Sequence, residues 1–201
     1  MTRRFVVALL CGLTLAALPH LSRAVAGDPA VDQVQALTSA LLKSMHKGPA
    51  ASMVARYRDL EPVIEQVFAL PLMTRLSVGQ DWGKFSPGAQ TAVIAAFSRY
   101  TITNYAHNFR DFDGQKFQTD PNVLIRGEDK VVRTQLISAD GTAVSLLYRM
   151  REVDGVWKII DVYYNGISQL TLHRVDFAGA VASGGAPVLI AYLNRVSDGL
   201  M

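Results

Sequence analysis

The histidines and one carboxylate in a predicted strand are the side chains of this sequence to consider for metal binding or catalysis. Beyond residue 26 the histidines are His46, His107 and His173, and none has metal-ligand spacing to a cysteine, a carboxylate or a second histidine. The sequence also contains no G-x-S-x-G, H-E-x-x-H, G-x-x-x-x-G-K or G-x-G-x-x-G motif. We therefore predict no metal site, no cofactor and no catalytic triad.

Asp161 is the remaining candidate for chemistry, because it lies in an otherwise apolar strand, Trp157–Tyr164. A buried carboxylate of this kind can act as a general base, as in small isomerases built on a curved sheet. The pattern favours the alternative, a carboxylate on the outer face that bonds to a loop or to a neighbouring arginine. His173, which lies close to Arg174 and Asp176 in the sequence, is expected in a cluster on a helix surface.

The strand that carries Asp161 leads directly into a helix. Trp157–Tyr164 alternates and is rich in β-branched and aromatic residues. Asn165-Gly166 ends the strand, because glycine takes positive φ without steric cost. Ser168 is a suitable cap for the helix that follows. We expect Ser183-Gly184-Gly185 to divide this C-terminal part into two helices.

Helical periodicity, caps and prolines predict several further helices ahead of the sheet. They cover 29–47 with Asp28 as cap, 51–70 with a break or restart at Pro62, 71–78, and a long helix from Ser86-Pro87 to about Phe109.

The hydrophobic period then changes from 3.6 to 2. The predicted strands are 116–118, 123–126, 130–137, 143–151 and 157–164, the first two being separate strands or one interrupted strand. Helices, then strands, then helices, without β-α-β alternation, indicate an α+β fold. We expect an antiparallel meander sheet of about four strands packed on several helices.

Alternation in this sheet gives it one apolar face. The side chains that share this predicted inner face include Val144, Leu146 and Tyr148 on one strand and Ile160, Val162 and Tyr164 on the next. The opposite face carries Arg133, Arg149 and Lys158 and is expected to be solvated. The inner face suits a packed core and equally suits the walls of an apolar cavity, and the pattern does not separate the two.

The N-terminus has the features of a secretory signal peptide. Arg3-Arg4 precedes an apolar run, and Ala24-Val25-Ala26 forms a small-residue cleavage site, so we expect 1–26 to be removed and 27–201 to form a single domain. Removal takes Lys+Arg from 20 to 17, equal to the 17 acidic residues. The balanced charge gives no electrostatic basis for nucleic-acid binding. Cys11 is the only cysteine and leaves with the signal.

The ending WKIIDVYYNGISQLTLHRVDF, from Trp157 to Phe177, carries a family resemblance. It resembles the W-K-x-x-D-V-x-x-x-G-I-S-x-x-x-x-x-R-x-x-F ending of the MlaC, or toluene-tolerance auxiliary, family of periplasmic lipid-shuttle proteins. Trp82-Gly83-Lys84-Phe85-Ser86-Pro87 is similar to the family's W-x-x-x-S/T-P entry to its long helix, and Phe97 to Tyr105 to the F-x-x-x-x-x-x-x-Y stretch that follows. The segment FSRYTITNYAHNFRDFDGQKF is most similar to the hopanoid-associated HpnM branch.

The resemblance implies a periplasmic carrier that is not an enzyme. Such a protein shuttles a membrane lipid, a phospholipid or a hopanoid, between an inner-membrane ABC transporter complex and an outer-membrane lipoprotein complex. The expected lipid-sized apolar cavity would be lined by Phe97, Tyr100, Val144, Leu146, Tyr148, Ile160, Val162 and Tyr164. Two candidate positions for its entrance are Trp82, with an amphipathic ring, and Gly166, in a turn that can move. The alternative for Trp82 is that its ring fills a gap between a helix and the sheet.

Two other classes of function remain open on the residues alone. A small-molecule enzyme of the isomerase kind would have a narrower pocket with Asp161 desolvated inside it. A non-catalytic interaction module of the cell envelope would have a fully packed core.

Overall fold

The computed structural model describes residues 27–201, and the predicted signal peptide, residues 1–26, lies outside the described residues. The described helices are α1 (Pro29–Met45), α2 (Met53–Val67), α3 (Leu70–Val78), a 3₁₀ helix (Gly79–Lys84), α4 (Pro87–Asn108) and α5 (Gln169–Leu200). The strands are β1 (Lys116–Thr119), β2 (Leu124–Arg126), β3 (Asp129–Ile137), β4 (Ala143–Val153), β5 (Val156–Tyr164) and β6 (Ile167–Ser168). The predicted α+β class is confirmed.

Side-chain caps start the helices where the sequence predicts. The Asp28 carboxylate accepts from the Ala30 amide at 2.9 Å, and the Ser86 hydroxyl accepts from the Ala89 amide at 3.3 Å. In both helices a proline follows the cap, where its missing N–H costs nothing. The Ser168 hydroxyl caps α5 in the same way, accepting from the Thr171 amide at 3.0 Å.

Pro62 does not break α2, contrary to the sequence prediction. The helix continues from Met53 to Val67 with Pro62 inside it. The ring is exposed, so water can satisfy the carbonyl whose hydrogen bond the proline removes. The buried face of α2, with Leu60 and Ile64, is therefore uninterrupted.

The described strands form one antiparallel sheet in the order β1-β3-β4-β5-β6, with β2 also paired to β3. From β3 to β6 each strand pairs with the next along the chain, which is the predicted meander. The β5–β6 turn has Asn165 at φ 46° and Gly166 at φ 83°, the two positive values that a tight two-residue hairpin needs.

A bulge in β5 shifts the predicted inner face. Arg149 pairs with Asp161, but the next residue of β4, Met150, pairs with Ile159, so Ile160 is skipped. Ile159 therefore shares the inner face with Val162 and Tyr164, whose β4 partners are Tyr148 and Leu146. The prediction that Ile160 belongs to this face is wrong, because strict alternation holds only where no residue is inserted.

The backbone of α5 is interrupted at Gly184 and Gly185, as the sequence predicts. Gly185 has φ 66°, a region open to glycine, and Pro187 follows within the next helical turn. Among the described residues, α5 is long and apolar enough to span a membrane by length and composition. It packs against α3 and α4, and its Phe177, Leu189 and Leu193 belong to the core.

Candidate functional site

A pocket of about 710 Å³ lies between α4, the start of α5 and the inner face of the sheet. This volume lies within the range of about 300–1,000 Å³ that small-ligand pockets occupy. Along α4 the lining residues run from Phe97 to Asn108, three helical turns or about 16 Å. The pocket is therefore elongated along the helix.

The lining side chains change in burial along the pocket. Its apolar and aromatic wall is buried and consists of Phe68, Met73, Phe97, Leu146, Tyr148 and Val162. Half-buried polar side chains of the lining are Tyr100, Asn104, Gln169 and His173. The exposed lining residues are Asn108, Tyr164, Ile167 and Leu172. This last group marks the mouth, at the β5–β6 turn and the facing ends of α4 and α5.

Aromatic packing holds the inner wall in place. The Phe97 ring meets Phe177 edge-on, with centroids 6.1 Å apart, and Phe68 meets Tyr105 edge-on at 5.4 Å. Tyr105 in turn stacks on Phe109 at 5.7 Å. Edge-to-face and offset contacts at these distances are the arrangements that aromatic quadrupoles favour. The wall opposite the sheet is thus lined by rings that pack on one another.

Six of the eight predicted cavity residues line this pocket. They are Phe97, Tyr100, Leu146, Tyr148, Val162 and Tyr164. Val144 lies on the predicted face, opposite Leu136, and packs on the edge of the core without lining the pocket. Ile160 is buried but does not line the pocket, because the bulge displaces it from the face it was predicted to share.

Only one of the two predicted entrance positions lies at the mouth of the pocket. Gly166 sits in the turn between the lining residues Tyr164 and Ile167, and so lies at the mouth. Trp82 does not line the pocket; it is half-buried in the 3₁₀ helix, 6.1 Å from the Phe85 ring, and packs on the core. Its neighbours line a separate cleft of about 510 Å³ beside the break in α5. Trp82 therefore fills a gap between elements of the helical layer.

The pocket wall carries hydrogen-bonding groups but no formal charge. Among the lining residues, all within the described range 27–201, none is Lys, Arg, Asp or Glu. Desolvation raises the pKa of the Tyr105 and Tyr148 hydroxyls, so both are protonated at neutral pH. Desolvation also lowers the pKa of His173, although the nearby Asp176 and Asp161 carboxylates raise it in part. The pocket thus offers neutral donors and acceptors.

His173 lies elsewhere than the sequence predicts. Its ring is half-buried in the pocket wall, stacked on Phe177 at 5.4 Å and edge-on to Tyr100 at 5.6 Å. Arg174 and Asp176 are exposed, and the Arg174 guanidinium reaches the Leu76 carbonyl at 2.7 Å. The predicted surface cluster is therefore wrong for His173, because its position on α5 faces α4.

Asp161 is engaged in positioning α5. It is 2% exposed, its Oδ1 accepts from the Leu170 amide at 3.0 Å, and its Oδ2 accepts from the Ser168 hydroxyl at 2.6 Å. Ser168 in turn caps α5. Asp161 thus satisfies donors at the first turn of the helix, where a negative charge is also favoured. It bonds to the β6–α5 junction, as the alternative interpretation of this carboxylate expects.

Some lining residues were not identified from the sequence. Asn104 and Asn108 follow Phe97 and Thr101 at helical spacing on α4, so periodicity could have placed them on the same face. Phe68 lies at the α2–α3 junction and Met73 lies in α3, and a parallel bridge between Phe68 and Ile159 ties the junction to β5. No local sequence signal predicts that contact.

The fold and the pocket define an α+β protein with a helical layer over an antiparallel sheet and a largely apolar pocket between them. The sequence matches the family described as MlaC protein over residues 33–195, and the chain belongs to the MlaC family.

Two individual proteins are similar to the chain. The "Toluene tolerance protein ttg2D" of Pseudomonas putida is 27% identical over 178 residues, covering 85% of this chain and 80% of that protein. A phospholipid-binding protein from Ralstonia solanacearum, solved in complex with a phospholipid, shares the fold with a TM-score of 0.73 at 20% identity. That match covers 85% of this chain and 98% of the other.

Proposed function

We propose that this protein is a periplasmic lipid carrier that takes the acyl chains of one membrane lipid into the pocket beneath α4. The observation that carries the proposal is the 710 Å³ pocket itself, with a buried apolar wall, an open mouth and no charged lining residue in the described chain. Membership of the MlaC family and the fold shared with a phospholipid-binding protein support the same function.

The energetic need for such a pocket is large. Two acyl chains of about 15 carbons would cost on the order of 20 kcal/mol to expose to water, at about 0.8 kcal/mol per CH₂. Transfer from a bilayer to an apolar pocket avoids most of this cost. A carrier therefore needs a matched cavity and a mouth, and it needs no bond-breaking groups.

The proposal extends to the place and partners of the carrier. Residues 1–26 would direct export and be cleaved, leaving 27–201 as one carrier domain in the periplasm. The domain would exchange lipid with an inner-membrane ABC transporter complex and an outer-membrane lipoprotein complex. Its cargo would be a phospholipid or a hopanoid. The family membership supports this arrangement.

An enzymatic function has less support from the described residues. Asp161 is the one carboxylate that the sequence suggests as a base, and both of its oxygens accept hydrogen bonds at the start of α5. It does not line the pocket. A general base must reach its substrate directly or through one water. We therefore propose that no catalytic step takes place in this pocket.

Native mass spectrometry of the protein purified from the periplasm tests the proposal. We expect a population heavier than the polypeptide by the mass of one lipid, and release of that lipid on denaturation. A folded protein that carries no lipid, and that acquires none from phospholipid vesicles or from vesicles doped with a hopanoid, would contradict the proposed function. Comparing the two vesicle types also identifies the cargo.

A further inference from the structure

Four large apolar side chains are exposed together at the mouth of the pocket. Tyr164, Ile167 and Leu172 line the mouth, and Val175 follows Leu172 on the same side of α5, one helical turn further on. Their exposed fractions lie between 43% and 70%. Contiguous apolar surface of this kind, which we call the mouth rim, marks a site of contact with a protein or a membrane.

The helix that carries half of the mouth rim is apolar along a stretch that the protein covers very little. Only 17% of the most apolar stretch of α5 is buried. The Phe177 and Tyr192 rings are 6.2 Å apart, although a straight helix would separate these residues by about 22 Å, so α5 bends sharply at Gly184. Its two parts, 169–183 and 186–200, are both shorter than the about 20 residues that span a bilayer. The exposed apolar surface of α5 therefore suits contact with a membrane surface better than a span.

The outer face of the sheet, on the side away from the pocket, is basic. Cross-strand pairs place Arg126, Asp129 and Arg151 in one row on this face. Asp129 and Asp161 are the acidic strand residues of this face in the described sheet, and both are buried, at 1% and 2% exposure. The basic side chains of the face are all exposed or half-buried and are Lys116, Arg126, Arg133, Arg149, Arg151 and Lys158.

The basic face and the mouth rim meet at the β5–β6 edge of the sheet. Tyr163 points to the outer face, and the next residue, Tyr164, belongs to the rim. Loop carboxylates leave this edge free of negative charge: Asp120, after β1, pairs with one of the arginines, and Glu128 and Asp154 lie in turns at the opposite end of the sheet. A basic surface is therefore continuous with the apolar rim around the pocket mouth.

We propose that the mouth rim docks on the surface of an anionic phospholipid bilayer, with the neighbouring basic face against the lipid headgroups. Exposed apolar side chains enter the headgroup region, while arginine and lysine are attracted to the phosphate groups. Tyrosine is common at the boundary between the apolar and aqueous layers. Because the pocket opens inside the rim, an acyl chain would pass between bilayer and pocket without crossing water. This inference goes beyond the carrier function, since it concerns contact with the bilayer itself and needs no lipid in the pocket.

Co-sedimentation with vesicles measures this contact. The full mature protein is mixed either with vesicles of phosphatidylcholine alone or with vesicles of a two-to-one mixture of phosphatidylcholine and phosphatidylglycerol. We expect binding to the mixed vesicles to be about tenfold tighter than to phosphatidylcholine alone, because several basic side chains face the anionic headgroups. This binding should weaken as added salt screens the exposed charges.

Two variants, each with a matched control, locate the contact. Val175→Glu should weaken binding to the mixed vesicles about tenfold, since a charge replaces an apolar side chain of the rim. Arg133→Gln should weaken it about fivefold, and it leaves no buried charge because its partner Asp120 is partly exposed. The controls are Ile125→Glu, an exposed apolar position on β2 at the opposite edge of the sheet, and Arg58→Gln, an exposed arginine on α2. Both controls should bind as the wild type does.

The outcomes separate docking from the carrier function. Wild-type protein that does not bind the mixed vesicles overturns the docking inference and assigns the rim to a protein partner. A Val175→Glu variant that binds as the wild type does, or an Ile125→Glu control that loses as much binding, also overturns it. Native mass spectrometry of the same samples reports lipid loading. Protein that carries lipid without binding vesicles leaves the carrier in place, whereas protein that binds vesicles and never carries lipid contradicts the carrier function alone.

Discussion

The two ends of the same sheet face are packed very differently. At one end α1 and α2 close over the sheet with Val34, Leu37, Leu41, Leu60 and Ile64, all fully buried. At the other end the inner face, through Leu146, Tyr148 and Val162, lines the pocket beneath α4. The apolar pattern along the strands is the same at both ends. The difference shows that the packing of the covering helices, which alternation does not encode, decides between core and cavity.

Buried polar groups occur at both ends of this face. At the closed end Arg56 is 1% exposed, and its guanidinium donates to the Ser44 carbonyl at 2.5 Å and to the Gly48 carbonyl, at the C-terminal end of α1. This satisfies carbonyls that the helix end leaves free. At the pocket end Thr101 and His173 have buried atoms without a partner in the described chain. Unpartnered buried atoms are therefore not confined to the pocket end, since Gln33 Oε1 on α1 also lacks a partner in the described chain.

The largest expected contrast comes from truncating one leucine at each end. Leu41→Ala at the closed end should lower the free energy of unfolding by about 3 kcal/mol, since it leaves a sealed cavity. Leu146→Ala should cost roughly half as much, because the vacated space joins an existing pocket. Urea unfolding of lipid-free protein measures both. Equal losses of unfolding free energy in the two variants would contradict the difference in packing between the two ends.

Replacing one valine by a larger residue at each end of the sheet face tests the same difference in packing by adding atoms. Val34→Phe should destabilise the protein by about 1–3 kcal/mol, because the closed end has no room for added atoms. Val162→Phe should leave the melting temperature nearly unchanged and reduce the lipid bound per protein, since the ring enters the pocket. Thermal unfolding and native mass spectrometry measure the two effects. If Val162→Phe unfolds the protein as readily as Val34→Phe, the pocket end is packed core.

Acid should affect the pocket and the outer face of the sheet in different pH ranges. Desolvation lowers the pKa of His173 below 6.5, so the unfolded chain binds more protons there and stability falls as pH drops through the folded pKa. Burial alone would raise the pKa of Asp129, but hydrogen bonds from two arginines of β4 bring it below 3.8, so its stabilisation is lost only at lower pH.

Urea titrations between pH 7 and pH 3 separate these two contributions. The His173→Phe variant should lose the dependence that begins just below pH 6.5 and keep the dependence below 3.8. A pH profile that is identical in the wild type and in this variant would show that His173 is not desolvated in the pocket wall.

The smallest expected effect is at Asp161. Asp161→Asn keeps an acceptor for the Leu170 amide and loses the negative charge at the first turn of α5, so a loss of about 0.5–1 kcal/mol is expected. Lipid loading should be unchanged in the folded variant. Loss of lipid transfer in a variant that is folded and loaded would instead indicate chemistry or a partner contact at Asp161.

Local signals predicted most of the fold, whereas the site depended on long-range contacts. Asp28, Ser86 and Ser168 cap their helices as expected, because capping is decided within a few residues. The bulge at Ile160 depends on pairing with β4, and no pattern within β5 reveals it. His173 was assigned to the surface because its charged neighbours dominate the local composition, while the facing helix decides its position.

Locating a bound acyl chain shows whether the pocket beneath α4 holds the lipid. A phospholipid with a photoreactive diazirine near the end of one chain is loaded from vesicles, irradiated and mapped by peptide mass spectrometry. A chain bound in the pocket would give adducts on the pocket wall, at Phe97, Tyr148 or Val162. Adducts confined to the α1–α2 end, or only to exposed surface residues such as Ile125, from protein that carries the lipid would contradict it.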